Sequence, residues 1–310
     1  YIFTGIAHPD EERLARYLPE RQLLHQALDP AGKPSVTVYR AGYRERAQNA
    51  ADIALAEGVT LTGYDIHGEA RPGQPLEAAL FYRFAASEPE KVAGYRVQLA
   101  LVDESGQRWP AANEPLAFRP PEWDAGSQAV SWHTLRLSGE APLGPYRLAV
   151  RLADDESGMP VGHWAELSPY EAVKQAPAQP LVTFDEGLRL LEADVRLETV
   201  PGGRWLVVEL LLDTISPLPQ SYTLFLHALD ADGQRVGQRD SPTGGGLFPT
   251  DAWKPGQPLR DTYRIPIEAA DARQPYRLAL GFYDWRTGER LLAFGSDGSR
   301  LPDDQYLLAP

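Results

Sequence analysis

Tyr95-Arg-Val-Gln-Leu-Ala-Leu-Val-Asp-Glu-Ser-Gly-Gln-Arg108 and Tyr222-Thr-Leu-Phe-Leu-His-Ala-Leu-Asp-Ala-Asp-Gly-Gln-Arg235 are one pattern written twice, 127 residues apart. In the first stretch Tyr95, Val97, Leu99 and Leu101 share one side of an extended chain, with Arg96 and Gln98 on the other; in the second, Tyr222, Leu224, Leu226 and Ala228 take the equivalent side. A side-chain period of two belongs to a half-buried β-strand. Asp103-Glu-Ser-Gly106 and Asp230-Ala-Asp-Gly233 follow as turns in which glycine can take positive φ, so each stretch predicts a strand running into a hairpin.

Other blocks repeat in the same order. Gly58–Ile66 matches Gly187–Val195 and Pro72-Gly73 matches Pro201-Gly202, both at an offset of 129; Trp123–Gly126 matches Trp253–Gly256 and Pro145–Val150 matches Pro275–Leu280, both at 130. Five blocks in order mark an internal duplication. With Leu76–Phe84, Trp132–Leu137 and Tyr146–Leu152 also reading as strands, each copy is expected to hold seven or eight short strands. That spacing suits an antiparallel sandwich. The expected fold is all-β: two tandem antiparallel β-sandwich domains, immunoglobulin-like or jelly-roll-like, over 55–173 and 181–310. The proline-rich segment 174–180 reads as the linker. Residues 1–54 read as a small β-α-β cap, with strands at Tyr1–Ile6 and Ser35–Tyr39 and a helix at Pro9–Leu18, whose early Asp10, Glu11 and Glu12 complement a helix dipole.

Composition bounds the function. Of the 310 residues, 43% are hydrophobic and 24% charged, the balance of a folded protein, and 27 glycines with 28 prolines imply many turns. A net charge of −13 argues against nucleic acid and anionic membrane surfaces as partners. The absence of cysteine removes disulfides, thiolate metal sites and cysteine nucleophiles. Only Lys33, Lys91, Lys174 and Lys254 among the 30 basic residues are lysine, a skew that fits a GC-rich, thermophilic bacterial source. No run reaches the ~18 apolar residues of a membrane helix. The chain begins at Tyr1, so an upstream segment is expected.

The chemistry-bearing residues are sparse. His8, His25, His67, His133, His163 and His227 form no close ligand pair, and no metal or cofactor is expected. His227 lies opposite Tyr222 and Leu224 on its strand, where the first copy has Ala100. Asp230, Asp232 and Gly233 resemble the start of a calcium loop, but position 241 is serine, so an ordinary hairpin turn is the better reading. Gly244-Gly-Gly246 lacks the phosphate-loop pattern and reads as a mobile loop. Seven tryptophans offer apolar faces for sugar rings. Trp123 and Trp253 recur between copies and read as structural; Trp285, beside Tyr283 at a hairpin tip, has Asp155 in the first copy and is the stronger sugar contact.

The runs Tyr222–Arg235, Arg239-Asp-Ser-Pro242, Pro249–Gly256, Asp261-Thr-Tyr263 and Tyr276–Asp284 with Thr287–Leu291 together resemble a recurring module. It is similar to the soluble C-terminal β-sandwich region of bacterial multi-spanning membrane proteins of the polyprenyl-phosphate-mannose glycosyltransferase type. The resemblance covers about 180–300 well and 58–165 less closely, with Ala100 for the histidine and Ser131 near the position of Asp261 in the first copy. It implies an extracytoplasmic location, tethered to the membrane through an upstream segment. The family's catalytic acids lie between membrane helices, so no catalytic residue carries over. The expected function is a non-catalytic module binding carbohydrate or a cell-envelope protein, with Trp285, Tyr283, His227, Asp240, Trp253 and Asp261 as candidate contacts. A structural spacer and a glycoside-hydrolase-type enzyme with paired carboxylates are the alternatives.

Overall fold

In the computed structural model Tyr95, Val97, Leu99 and Leu101 are buried on one side of their strand, and Leu224, Leu226 and Ala228 on one side of theirs. Arg96 and Gln98 stay half-buried on the other side. The chain is all-β, in antiparallel sheets. The structure describes residues 47–85, 94–116, 128–174, 179–200, 203–267, 274 and 276–308, with the backbone of three strands nearer the N-terminus.

Those three are β1 (Ile2–Phe3), β2 (Glu20–Leu28) and β3 (Pro34–Gly42). Next come β4 (Asn49–Ala56), β5 (Val59–His67), β6 (Pro75–Phe84), β7 (Tyr95–Val102), β8 (Arg108–Pro115), β9 (Gln128–Arg136), β10 (Arg147–Asp154) and β11 (Ala165–Leu167). After β12 (Tyr170–Ala172) follow β13 (Val182–Phe184), β14 (Leu188–Val200), β15 (Gly203–Thr214), β16 (Thr223–Leu229), β17 (Arg235–Pro242), β18 (Leu259–Ile267), β19 (Arg277–Tyr283), β20 (Ala293–Gly295) and β21 (Tyr306–Leu308).

Sheet β4-β5-β6-β9 and sheet β11-β10-β7-β8 share one buried cluster, which includes Leu61, Leu80, Tyr82, Leu99 and Leu148. Strands β13-β14-β15-β18 and β21-β19-β16-β17 share a second, which includes Leu190, Leu210, Leu224, Tyr263 and Leu280. The order of these eight strands is the same in both pairs, but the second half's larger sheet also carries β20 paired with β13 at one edge and β12 at the other, neither with a counterpart in the first half. The turns agree as well: Asp103 Oδ1 accepts the Ser105 and Gln107 amides at 2.9 and 3.0 Å, and Asp230 Oδ1 accepts those of Asp232 and Gln234, both at 2.9 Å. Asp230 therefore spends its oxygen on its own turn, as expected of an Asx turn. Just before β10 the Tyr146 hydroxyl donates to the Pro142 carbonyl four residues back, the brace found at the corner of Greek-key sandwiches. Tyr276 is buried at the same place before β19.

The halves are joined by more than a linker. Strand β12 pairs with β18, extending the second half's sheet, and the Val173 amide donates to Pro258 O at 2.9 Å. Residues 175–178 of the expected linker lie outside the described residues, but the strand before them is already hydrogen-bonded to the second half. From the second half, the turn after β17 reaches back. Leu247 is fully buried in the first cluster, while its neighbour Phe248 belongs to the second. Gly246 and Leu247 carbonyls accept the Ala70 and Tyr146 amides at 2.8 and 2.9 Å. Arg71 holds Asp251 with two bonds (2.9 and 3.1 Å) and Glu69 with a third (2.7 Å), and Glu69 also accepts the Ser221 hydroxyl at 2.6 Å.

The triple glycine is thus no mobile loop: Gly244 and Gly246 are buried in this junction. Gly246 has φ +85°, and a Cβ there would lie 2.0 Å from the Gly68 carbonyl oxygen, so only glycine fits. At the N-terminus, strands form at Ile2–Phe3 and Pro34–Gly42, and the expected helix at Pro9–Leu18 lies outside the described residues. A third strand, β2, was not anticipated. Adjacent Leu23 and Leu24 break its alternation, and pairing with β3, with a register shift between Leu23 and His25, is what makes it a strand.

Candidate functional site

On β16 the side chains alternate, so Phe225 and His227 project from the side opposite the core. Asp240 of β17 and Gly281 of β19 flank Phe225 in register, and Tyr283 ends β19. The Tyr283 hydroxyl donates to Asp240 Oδ2 at 3.2 Å, and His227 Nε2 stands 3.9 Å from Asp240 Oδ1. The second distance exceeds a hydrogen bond, so both groups keep capacity for an incoming hydroxyl. The Phe225 ring lies 5.1 Å from the His227 ring and 6.4 Å from that of Tyr283, with the Arg290 guanidinium carbon 4.4 Å above it. Gly281 permits this packing: a Cβ there would come within 2.7 Å of the Phe225 ring.

Burial pulls the His227 pKa below the ordinary value despite the opposing influence of Asp240, so the imidazole is neutral at pH 7. Burial, with Asp240 adding to it, raises that of Tyr283, which keeps its proton. A neutral imidazole, a phenol and a carboxyl on one surface can donate to and accept from polyol hydroxyls. Trp285 follows in the turn Asp284–Gly288 and is 59% exposed, with the Arg286 guanidinium carbon 5.2 Å from its ring. Asp284 pins that turn, accepting the Arg286 amide and the Gln220 side-chain amide, both at 2.9 Å.

Two expected contacts do not belong to this surface. Trp253 is 4% exposed in the second core, and its indole N–H donates to Phe248 O at 3.2 Å, so its ring cannot meet a sugar. Asp261 is 1% exposed, with Oδ2 accepting the Gly244 amide at 2.6 Å and the Tyr263 hydroxyl, and Oδ1 without a hydrogen-bond partner. Both serve the packing around the glycine turn. The repeated Trp-x-x-Gly spacing signalled this for Trp253; for Asp261, the signal was alternation with buried Tyr263.

One constellation escaped sequence reasoning. Ser131 Oγ lies 2.7 Å from His133 Nε2, and His133 Nδ1 lies 2.8 Å from Glu114 Oε2. Contact with His133 holds the Glu114 carboxyl below the usual range. The connectivity is that of a nucleophile, base and orienting acid. Ser131 and His133 are each 3% exposed, and the Ser131 hydroxyl is also bonded to buried Tyr82 at 3.2 Å, so no acyl group can approach the oxygen. The trio ties edge strands β8 and β9 together. The signal available was two polar residues, i and i+2, on the inward side of one strand.

Among the described residues no three His, Cys, Asp or Glu side chains gather as metal ligands, and no helix is long and apolar enough to cross a membrane. No protein-family model matches the sequence, and no curated protein matches it. Solved structures with some similarity to this chain include a glycosyl hydrolase family 2 member from Bacteroides cellulosilyticus, at 10% identity and a TM-score of 0.22, over 71% of this chain and 28% of that one. A putative beta-galactosidase from Bacteroides fragilis follows at 14% identity and 0.23, over 90% and 40%. The alpha-2-macroglobulin of E. coli stands at 10% and 0.22, over 92% and 18%. This chain spans less than half the length of each, and scores this low carry no argument about function.

Proposed function

We propose that the chain is a non-catalytic carbohydrate-binding module made of two copies of one immunoglobulin-like sandwich, binding a saccharide on the outer side of β16, β17 and β19. The shared order of eight strands in each half and the tyrosine before β10 and β19 support the duplicated sandwich. The observation that carries the function is the Tyr283–Asp240–His227 grouping on the outer side of this sheet, where Asp240 is exposed and His227 and Tyr283 are half-buried, with the exposed Trp285 in the turn that follows Tyr283. Aromatic faces stack on sugar rings, and the three polar groups suit hydroxyls. The first half lacks this set, having Ala100 in place of His227, so the set belongs to the second half alone. The resemblance to glycosyltransferase-type membrane proteins supports placing the module outside the cytoplasmic membrane, anchored through an upstream segment.

Calorimetric titration with neutral hexoses and their oligomers tests the reading. Binding is expected in the millimolar range, weakened about tenfold (~1.4 kcal/mol) by Asp240→Asn or Trp285→Ala. No heat with any saccharide at millimolar concentration would remove it. The backbone pairing, salt bridges and shared core at the junction favour a second reading, a stiff spacer that holds neighbouring domains apart. A chain that binds no sugar and stays monomeric in sedimentation would support the spacer.

A further inference from the structure

On the outer side of the first half's equivalent sheet, a cleft of about 440 Å³ is lined by Arg151, Pro160, Val161, Gly162, His163 and Trp164. Its size falls within the range of small-ligand sites. Trp164 packs over Ala100, Val102 and Ala149, a small-residue patch of β7 and β10. Arg151 of β10 lays its guanidinium carbon 4.4 Å from the centre of the Trp164 ring, and its Nε donates to Gln98 Oε1 at 2.6 Å. The wall is rigid: a Cβ on Gly162 would lie 2.2 Å from the Leu55 carbonyl oxygen, and the Val161 amide donates to Leu152 O at 3.0 Å.

The charges on this face are unequal. Arg108 and Arg147 both pair with Glu166, each at 3.0 Å. Arg151 has the neutral Gln98 and the indole, and among the described residues no carboxylate lies within ion-pair distance of it. No acidic residue lines the cleft, and His163 stands exposed at its rim. In a chain of net charge −13, this is a local cationic pocket with its guanidinium already oriented. A guanidinium fixed through Nε leaves its two terminal nitrogens to meet a planar oxyanion in bidentate fashion.

We infer that this cleft binds a carboxylate-bearing ligand of the uronic acid class, with Arg151 clasping the carboxylate. The choice of a sugar acid rests on the carbohydrate reading above; the carboxylate itself rests on Arg151 alone. Titration of the whole chain, followed by amide and indole NMR, uses D-glucuronate against D-glucose, acetate and inorganic phosphate. Glucuronate is expected to shift the Trp164 and Gly162 signals with millimolar affinity, glucose to leave them unmoved, and acetate and phosphate to bind at least tenfold more weakly. Arg151→Gln should cost glucuronate tenfold or more and Arg151→Lys less, with unchanged melting temperature, while Asp240→Asn should leave it untouched. Glucuronate shifts at Trp164 would support this site even if neutral sugars never bind the second half. Absence of those shifts, indifference to Arg151→Gln, or phosphate binding as tightly as glucuronate would overturn it.

Discussion

Burial lifts the Asp261 carboxyl from an ordinary 3.8 to about 6, against the pull of Tyr263 and the Gly244 amide. The folded state therefore holds this proton more tightly than the unfolded chain. The associated stability is fully present below pH 4 and is lost as pH rises through about 6. Asp261→Asn removes that titration. The variant should gain on the parent by ~3 kcal/mol between pH 4 and pH 8, read from denaturant midpoints at each pH. Any constant offset from the new amide leaves this slope unaffected, and parallel curves would exclude the assignment. His133 makes a simpler case. His133→Ala removes the bonds to Ser131 and Glu114, leaves the Ser131 hydroxyl only its Tyr82 partner and opens a hole between β8 and β9, and should lower the unfolding free energy by ~2 kcal/mol in equilibrium denaturation.

At the scale of elements, the turn from Thr243 to Trp253 decides most. It follows β17, yet it places Leu247 in the neighbouring core and at the next residue, Phe248, returns to its own half, with Thr250 and Trp253 also buried. Leu247→Ala should cost ~2–5 kcal/mol, the range for truncating a fully buried leucine. The readout that identifies the mechanism is hydrogen exchange. The Ala70 and Tyr146 amides, bonded to Gly246 and Leu247, should lose protection although they lie more than a hundred residues upstream. Gly246→Ala should do comparable damage, because its Cβ would collide with backbone that cannot move aside.

Across the whole molecule, backbone pairing, a borrowed core residue and the Arg71 clamp make each half part of the other's stability. Scanning calorimetry of the full chain should therefore record one transition, with calorimetric and van't Hoff enthalpies in agreement. Two resolved transitions would show that the junction is too weak to couple the cores. High salt should matter little to this coupling, since the backbone and apolar contacts at the junction are not screened.

Period-two alternation and the Asp-to-Gly turns made β7 and β16 legible in the sequence, because strand faces and Asx turns are decided by neighbours a few residues apart. The exposed tip carrying Trp285 was legible for the same reason. His227 could be assigned to the outer side by counting from Tyr222, but its company could not: Asp240 and Tyr283 arrive from adjacent strands, and register across a sheet is set by pairing. Asp261 looked available, and the glycine triplet looked loose, because burial at the junction depends on where the other half packs. Arg71 meets Asp251 across 180 residues, and Arg151 meets Trp164 over a patch formed jointly by β7 and β10. Local covalent order determined the strands and their turns; desolvation and charge pairing between distant segments, which exist only once the sheets have packed, decided which side chains are sites and which are filling.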